Sequence, residues 1–93
     1  MTNTERERTM HTVRTIAKMH QEEPDAVCDT DALATRLGWP REEVQRRLFD
    51  ARIAGYIVGQ VARRAYVDLT GIKLKPAGYA ALRRLTFDDV DVR

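Results

Sequence analysis

A chain of 93 residues holds a single folded domain, because a second hydrophobic core would not fit in that length. Its composition, 43% hydrophobic and 32% charged, excludes the low-hydrophobicity, high-net-charge mix of disordered chains. The net charge of +2 selects no partner by itself, but its distribution is uneven: seven arginines stand between Arg36 and Arg64 against three carboxylates, and the closing TFDDVDVR is acidic.

The opening MTNTERERTM is charged and lacks the apolar run of a signal peptide, and no stretch approaches 18 apolar residues, so no membrane association and a cytoplasmic location are expected. One cysteine, Cys28, cannot form an internal disulfide.

In chain order, TERERTMHTVRTIAKMH predicts an amphipathic helix over 4–20, with Met10, Val13, Ala17 and His20 at steps of three or four and Ile16 beside them. Thr2, Asn3 or Thr4 would cap it, and Pro24 ends the pattern. Val27 and Cys28 suit a very short strand. Asp29 or Thr30 then caps a second helix with Leu33, Ala34 and Leu37 on one stripe. Gly38 fits the left-handed position after a helix end, and Pro40 fits the first turn of a third helix, PREEVQRRLFDARIA, where its missing N–H is no loss. Val44, Leu48 and Ala51 face inward there, and Gly55 closes it. YIVGQVARRAYVDLTGIKLK reads as two antiparallel strands. Pairing Val58 with Ile72 centres the turn near Arg64 to Tyr66, whereas DLTG, Asp68 to Gly71, has the better turn chemistry; the first reading is preferred. Pro76 opens a last helix, PAGYAALRRL, which leaves 86–93 as a short acidic tail.

The order helix, short strand, helix, tight turn, helix, hairpin, helix resembles the winged helix-turn-helix family of DNA-binding domains, of the bacterial or phage transcriptional-regulator type. The residues that carry the resemblance are ALATRLGWPREEVQRRLFDARIAGYI and GIKLKPAGYAALRRL, across roughly 8–85, with Lys75 where the family often has threonine before the proline. It implies an α+β, mostly helical fold: a three-helix core, a two-stranded wing and a C-terminal helix.

It also implies sequence-specific binding of double-stranded DNA by a small transcriptional regulator, with helix 40–54 in the major groove. With Val44 and Leu48 inward, Arg41, Gln45 and Arg46 face outward as base readers, since Arg pairs with guanine edges and Gln with adenine edges. Arg36, Arg47 and Arg52 are phosphate candidates, and Arg63 and Arg64 at the wing would reach a phosphate or the minor groove. One such domain supplies little specificity against a genome, so a homodimer on a two-fold site is expected, joined through Met10, Val13, Tyr79, Leu82 and Phe87.

A rival reading keeps the fold and drops the DNA. Phe49 stands at the outer edge of the third helix beside Glu42, Glu43 and Asp50, and Trp39 sits in the turn, so the face would instead bind a protein partner. Trp39 has a plainer reading too, as a ring covering the turn. A third possibility is a phage DNA-packaging or recombination accessory factor. Catalysis is not expected: there is no Ser–His–Asp order, phosphate-cradling glycine loop or carboxylate pair. His20 and Cys28, with Asp25, Asp29 and Asp31 nearby, fall short of a zinc set, so neither metal nor cofactor is expected.

Overall fold

The computed structural model describes residues 3–62 and 65–92. Helices α1 (Asn3–Glu22), α2 (Thr30–Leu37) and α3 (Arg41–Ile53) are followed by strands β1 (Ile57–Ala62) and β2 (Ala65–Leu74) and by helix α4 (Pro76–Val92). The fold is α+β and mostly helical, with a two-stranded antiparallel sheet.

One core joins these elements. Val13 and Ile16 from α1, Leu33 from α2, Val44, Leu48 and Ala51 from α3, and Ile57, Leu69 and Ile72 from the hairpin pack into a single buried cluster. Helix α1 buries more than its apolar stripe: Thr9, Thr12 and Thr15 are also inside. Thr12 donates to the Arg8 carbonyl at 2.9 Å and Thr15 to the His11 carbonyl at 2.8 Å, so neither hydroxyl enters the core without a partner. Met10 and Val13 are 7% and 0% exposed, which removes them from the expected dimer surface. Leu82 is also half-buried against the core, leaving Tyr79, 44% exposed, as the accessible member of that set; the Phe87 side chain lies outside those described.

The turn between α2 and α3 follows from local chemistry. Asp29 caps α2, its Oδ1 accepting from Ala32 N at 2.7 Å. Thr30, the other cap candidate, is buried and serves β2 instead, its hydroxyl accepting from Leu69 N at 2.9 Å. Gly38 adopts φ 69° and donates its N–H to Ala34 O at 2.9 Å, a conformation that would strain any side chain. Pro40 precedes the first helical residue, one position earlier than expected, and its carbonyl accepts from Glu43 N and Val44 N.

The hairpin departs from the expected register. Val58 pairs with Lys73 rather than Ile72, and Gln60 with Thr70, so Gly59 alone opposes Gly71 and Ile72. Gly71, at φ 61°, is the extra residue of a β-bulge, which is why DLTG does not turn the chain. A second irregularity follows: Val61 pairs with Leu69 and Ala62 with Ala65, placing 66–68 on β2 with no counterpart on β1. The reversal falls between Ala62 and Ala65, and Arg63 and Arg64 lie outside the described residues. The short strand at Val27 and Cys28 does not form; one hydrogen bond, from Ile72 N to Cys28 O at 3.0 Å, ties that segment to the sheet.

Helix α4 is set onto the hairpin by Gly78. A Cβ there would stand 2.3 Å from the Tyr56 carbonyl oxygen, so only glycine lets the two backbones approach this closely. The helix continues to Val92, so the backbone of the acidic segment is helical over 86–92.

Candidate nucleic-acid interface

Helix α3 has no hydrogen-bonding side chain at its cap and little hydrophobic patterning beyond its buried stripe, so its neighbours define its faces. Val44, Leu48 and Ala51 are fully buried. A step of about 100° per residue then sorts the remaining positions into three strips. Arg41, Gln45 and Arg52 flank the stripe on one side, Glu43, Arg47 and Asp50 on the other, and Glu42, Arg46, Phe49 and Ile53 stand opposite.

The first flank meets the hairpin through Asp68. Arg41 donates to both carboxylate oxygens, with Nε 3.4 Å from Oδ1 and Nη2 on Oδ2. Gln45 Nε2 donates to Oδ1 at 2.7 Å. Asp68 is one of the unpaired residues of β2, and its side chain is only 11% exposed. The Gln45 and Arg41 hydrogen bonds hold this carboxyl below the ordinary aspartate range against the cost of its desolvation. The same contact, reinforced by Asp31 at 3.2 Å from Arg41 Nη1, raises the Arg41 pKa further. Two of the three base-reader candidates, Arg41 and Gln45, are thus gathered at one point, but around a carboxylate of the chain itself.

The second flank meets α1. Arg47, expected to reach a phosphate, is instead 2% exposed. Its Nη1 donates to the Glu5 carbonyl at 3.0 Å, and Nη2 lies 3.4 Å from Asp50 Oδ2. Its Nε lies 3.4 Å from Glu43 Oε1, close enough for an ion pair but not aligned for a hydrogen bond, and has no hydrogen-bond partner among the described residues. Lost solvation explains the arrangement: a buried guanidinium needs carboxylates and carbonyls around it, and α1 and α3 supply them. Arg47 is a structural residue.

Arg46 and Arg52 are the α3 arginines that remain exposed with no ion-pair partner among the described residues. They line a groove of about 480 Å³ beside the helix, whose wall also carries Gln45 and Phe49 and three acidic residues, Glu5, Glu42 and Asp50. Phe49 is 62% exposed and Ile53 70% exposed, one turn apart on the outermost strip. Arg36 is off this surface's main axis, paired with Glu22 at 2.7 Å.

Trp39 covers the turn. It is half-buried, 5.6 Å from the His11 ring centroid, with the Arg8 guanidinium 5.7 Å from its own centroid. Arg8 in turn pairs with Glu43 at 3.2 Å, so the ring joins α1 to the start of α3. Cys28 is buried, and burial, with Asp29 nearby, pushes its thiol up to about 11, which leaves it un-ionised and unreactive at neutral pH.

Asp68 is the functional candidate that sequence reasoning missed. Its signal was present, a charged residue in a run of β-formers, but nothing local says that a β2 bulge turns it toward α3. No helix among the described residues is long and apolar enough to cross a membrane. No family model, no curated protein and no solved structure matches the chain, so the reading of this surface rests on its own geometry.

Proposed function

We propose that this chain binds double-stranded DNA as a winged helix-turn-helix domain, acting as a small transcriptional regulator, with α3 entering the major groove and the hairpin alongside. The observation that carries the reading is the exposed side of α3: Arg46 on the outer strip and Arg52 on the flank it shares with Gln45 are exposed cations without described partners, on a helix fastened by its buried stripe. A helix exposed along one side fits the major groove, and guanidinium groups meet phosphates or guanine edges there.

The set of contacts is narrower than charge alone implies. Arg47 is withdrawn into the core, Arg41 is held by Asp68 and Asp31, and Arg36 by Glu22, leaving Gln45, Arg46 and Arg52 as the candidate contacts among the described residues. A symmetric dimer on a two-fold site completes the proposal, since few contacts per domain give little discrimination.

The test is retention on duplex DNA at about 50 mM salt, with the salt dependence measured for the native chain and for Arg46→Ala with Arg52→Ala. The expected result is a steep fall in affinity with salt, and weaker binding by the double variant, whose logarithmic slope shrinks by about 0.9 for each of the two arginines that meets a phosphate. No retention, or a double variant with both affinity and slope unchanged, defeats the reading.

One observation favours a second reading. Phe49 and Ile53 form an exposed apolar pair on the outermost strip, as a protein-binding helix face would. Replacing both by serine should abolish complex formation with a protein partner and leave DNA retention within about twofold if DNA is the ligand; loss of both functions would mean a shared surface.

A further inference from the structure

Asp68 imposes a chemical constraint on Gln45. A glutamine amide ordinarily presents either its oxygen or its NH2 group outward, and the two orientations read opposite patterns. An ionised carboxylate only accepts hydrogen bonds, so the amide must turn its NH2 group to Asp68 Oδ1, 2.7 Å away. The other oxygen of Asp68 is taken by Arg41 Nη2, and Arg41 is in turn steadied by Asp31, so the carboxylate cannot swing aside to let the amide flip. The side chains of Asp68 and Arg41 meet from different elements, β2 and α3, which fixes the arrangement across the helix–hairpin junction.

We infer that Asp68 is a positioning residue for DNA sequence recognition: it locks Gln45 with its oxygen outward and restricts the base beneath it to one carrying an exocyclic amino group. Adenine fits first, because its N6 amino group donates to Gln45 Oε1 and its N7 can accept from the remaining amide hydrogen. Cytosine, with an amino group but no neighbouring acceptor, fits second. Guanine and thymine present only acceptors to the major groove and would set oxygen against oxygen. This inference rests on the DNA-binding reading and goes beyond it, since it assigns the selectivity of one position to a residue that need not touch DNA.

The position of Asp68 supports a designed role over a chance contact. It lies in the segment of β2 that has no counterpart on β1, and that irregularity is what lets one strand residue reach back to α3. Its carboxyl is held ionised well below neutral pH, so the lock is closed under ordinary conditions.

Two measurements test the proposal. In the free protein labelled with nitrogen-15, the two Gln45 side-chain amide protons are distinct in any state because rotation about the amide C–N bond is slow, but the one donated to Asp68 should be shifted and protected from solvent exchange, and both effects should be lost in Asp68→Ala. Binding selection from a random duplex library should then give a position where guanine and thymine are disfavoured by roughly fivefold or more, the low end of what a paired side chain provides. In Asp68→Ala this bias should fall below about twofold, because the amide can flip to donate, while the salt slope steepens by about 0.9 as Arg41 is released to a phosphate. Gln45→Ala should erase the bias at the same position without changing the slope. If Asp68→Ala does not fold, the isosteric Asp68→Asn, which can donate as well as accept, serves in its place. Failure of the native chain to select any duplex ends the DNA-binding reading and this inference with it. A native consensus whose amino-base bias survives Asp68→Ala or Gln45→Ala, or a Gln45 amide that exchanges freely in the native chain, overturns the inference alone.

Discussion

Arg46 and Arg47 are neighbours in the chain and opposite in role. Arg46 stands on the outer strip of α3 with no described ion-pair partner, whereas Arg47 is 2% exposed and enclosed by Glu43, Asp50 and the Glu5 carbonyl. The rotation of one helical step turns a cation from solvent to core. The same division runs through the described arginines of the basic segment: Arg36, Arg41 and Arg47 meet carboxylates of the chain itself, and Arg46 and Arg52 are left over. Local net charge therefore overstates what a polyanion would meet, because part of it already holds the fold together.

The strongest way to break this contrast is at Arg47. Arg47→Ala leaves Asp50 half-buried without its cation and Glu43 with Arg8 alone, and opens a cavity between α1 and α3, so a loss of about 3 kcal/mol is expected in urea unfolding. Arg47→Met keeps the volume and should recover much of that loss only when Asp50→Asn accompanies it, because the residual penalty then comes from the Asp50 carboxylate, whereas Glu43 keeps Arg8. A loss below about 0.5 kcal/mol for Arg47→Ala would place Arg47 among the surface arginines after all.

Positions governed by local rules were legible in the sequence. Gly38, Gly55 and the Asp29 cap each follow from the needs of a helix end, and all three stand where expected. The stripe of Val44, Leu48 and Ala51 followed from helical spacing, and the same spacing held the warning about Arg47, which lies only about 60° from Val44. It was missed because arginine is so seldom buried that residue type overrode position. The hairpin register was not legible: Gly71 inserts one residue into β2 and 66–68 insert three, and neither shift leaves a trace in a period of two. The Asp68 contact with Arg41 and Gln45 depends on that register, so the part of the site built between α3 and β2 could not be read from α3 alone.

A smaller effect separates the bound arginines from the free ones by pH. Asp68 has a folded-state pKa below its ordinary 3.8, chiefly through the Gln45 hydrogen bond, so its contribution to stability is complete above that value and is lost as pH falls through the depressed folded value. The native chain should therefore lose melting temperature more steeply than Asp68→Asn, which has no proton to take up, as pH falls below the ordinary aspartate value of 3.8. Equal slopes would mean that the carboxylate is not held by Gln45 and Arg41. Arg36→Ala removes an exposed pair with Glu22 and should cost no more than about 0.5 kcal/mol, testable in the same unfolding assay.

The smallest expected change in stability is at Arg46, and it sharpens the contrast most. Arg46→Ala removes a side chain that bridges nothing among the described residues, so unfolding free energy should stay within about 0.5 kcal/mol of the native value. The substitution should nonetheless weaken duplex binding, either uniformly across sequences with a salt slope smaller by about 0.9 if Arg46 meets a phosphate, or at a single guanine with the slope unchanged if it meets a base. Arg46→Glu should deepen the loss by adding repulsion, again without destabilising the fold. An Arg46→Ala variant that unfolds early would show the outer strip to be structural, and the line drawn between the two adjacent arginines would move.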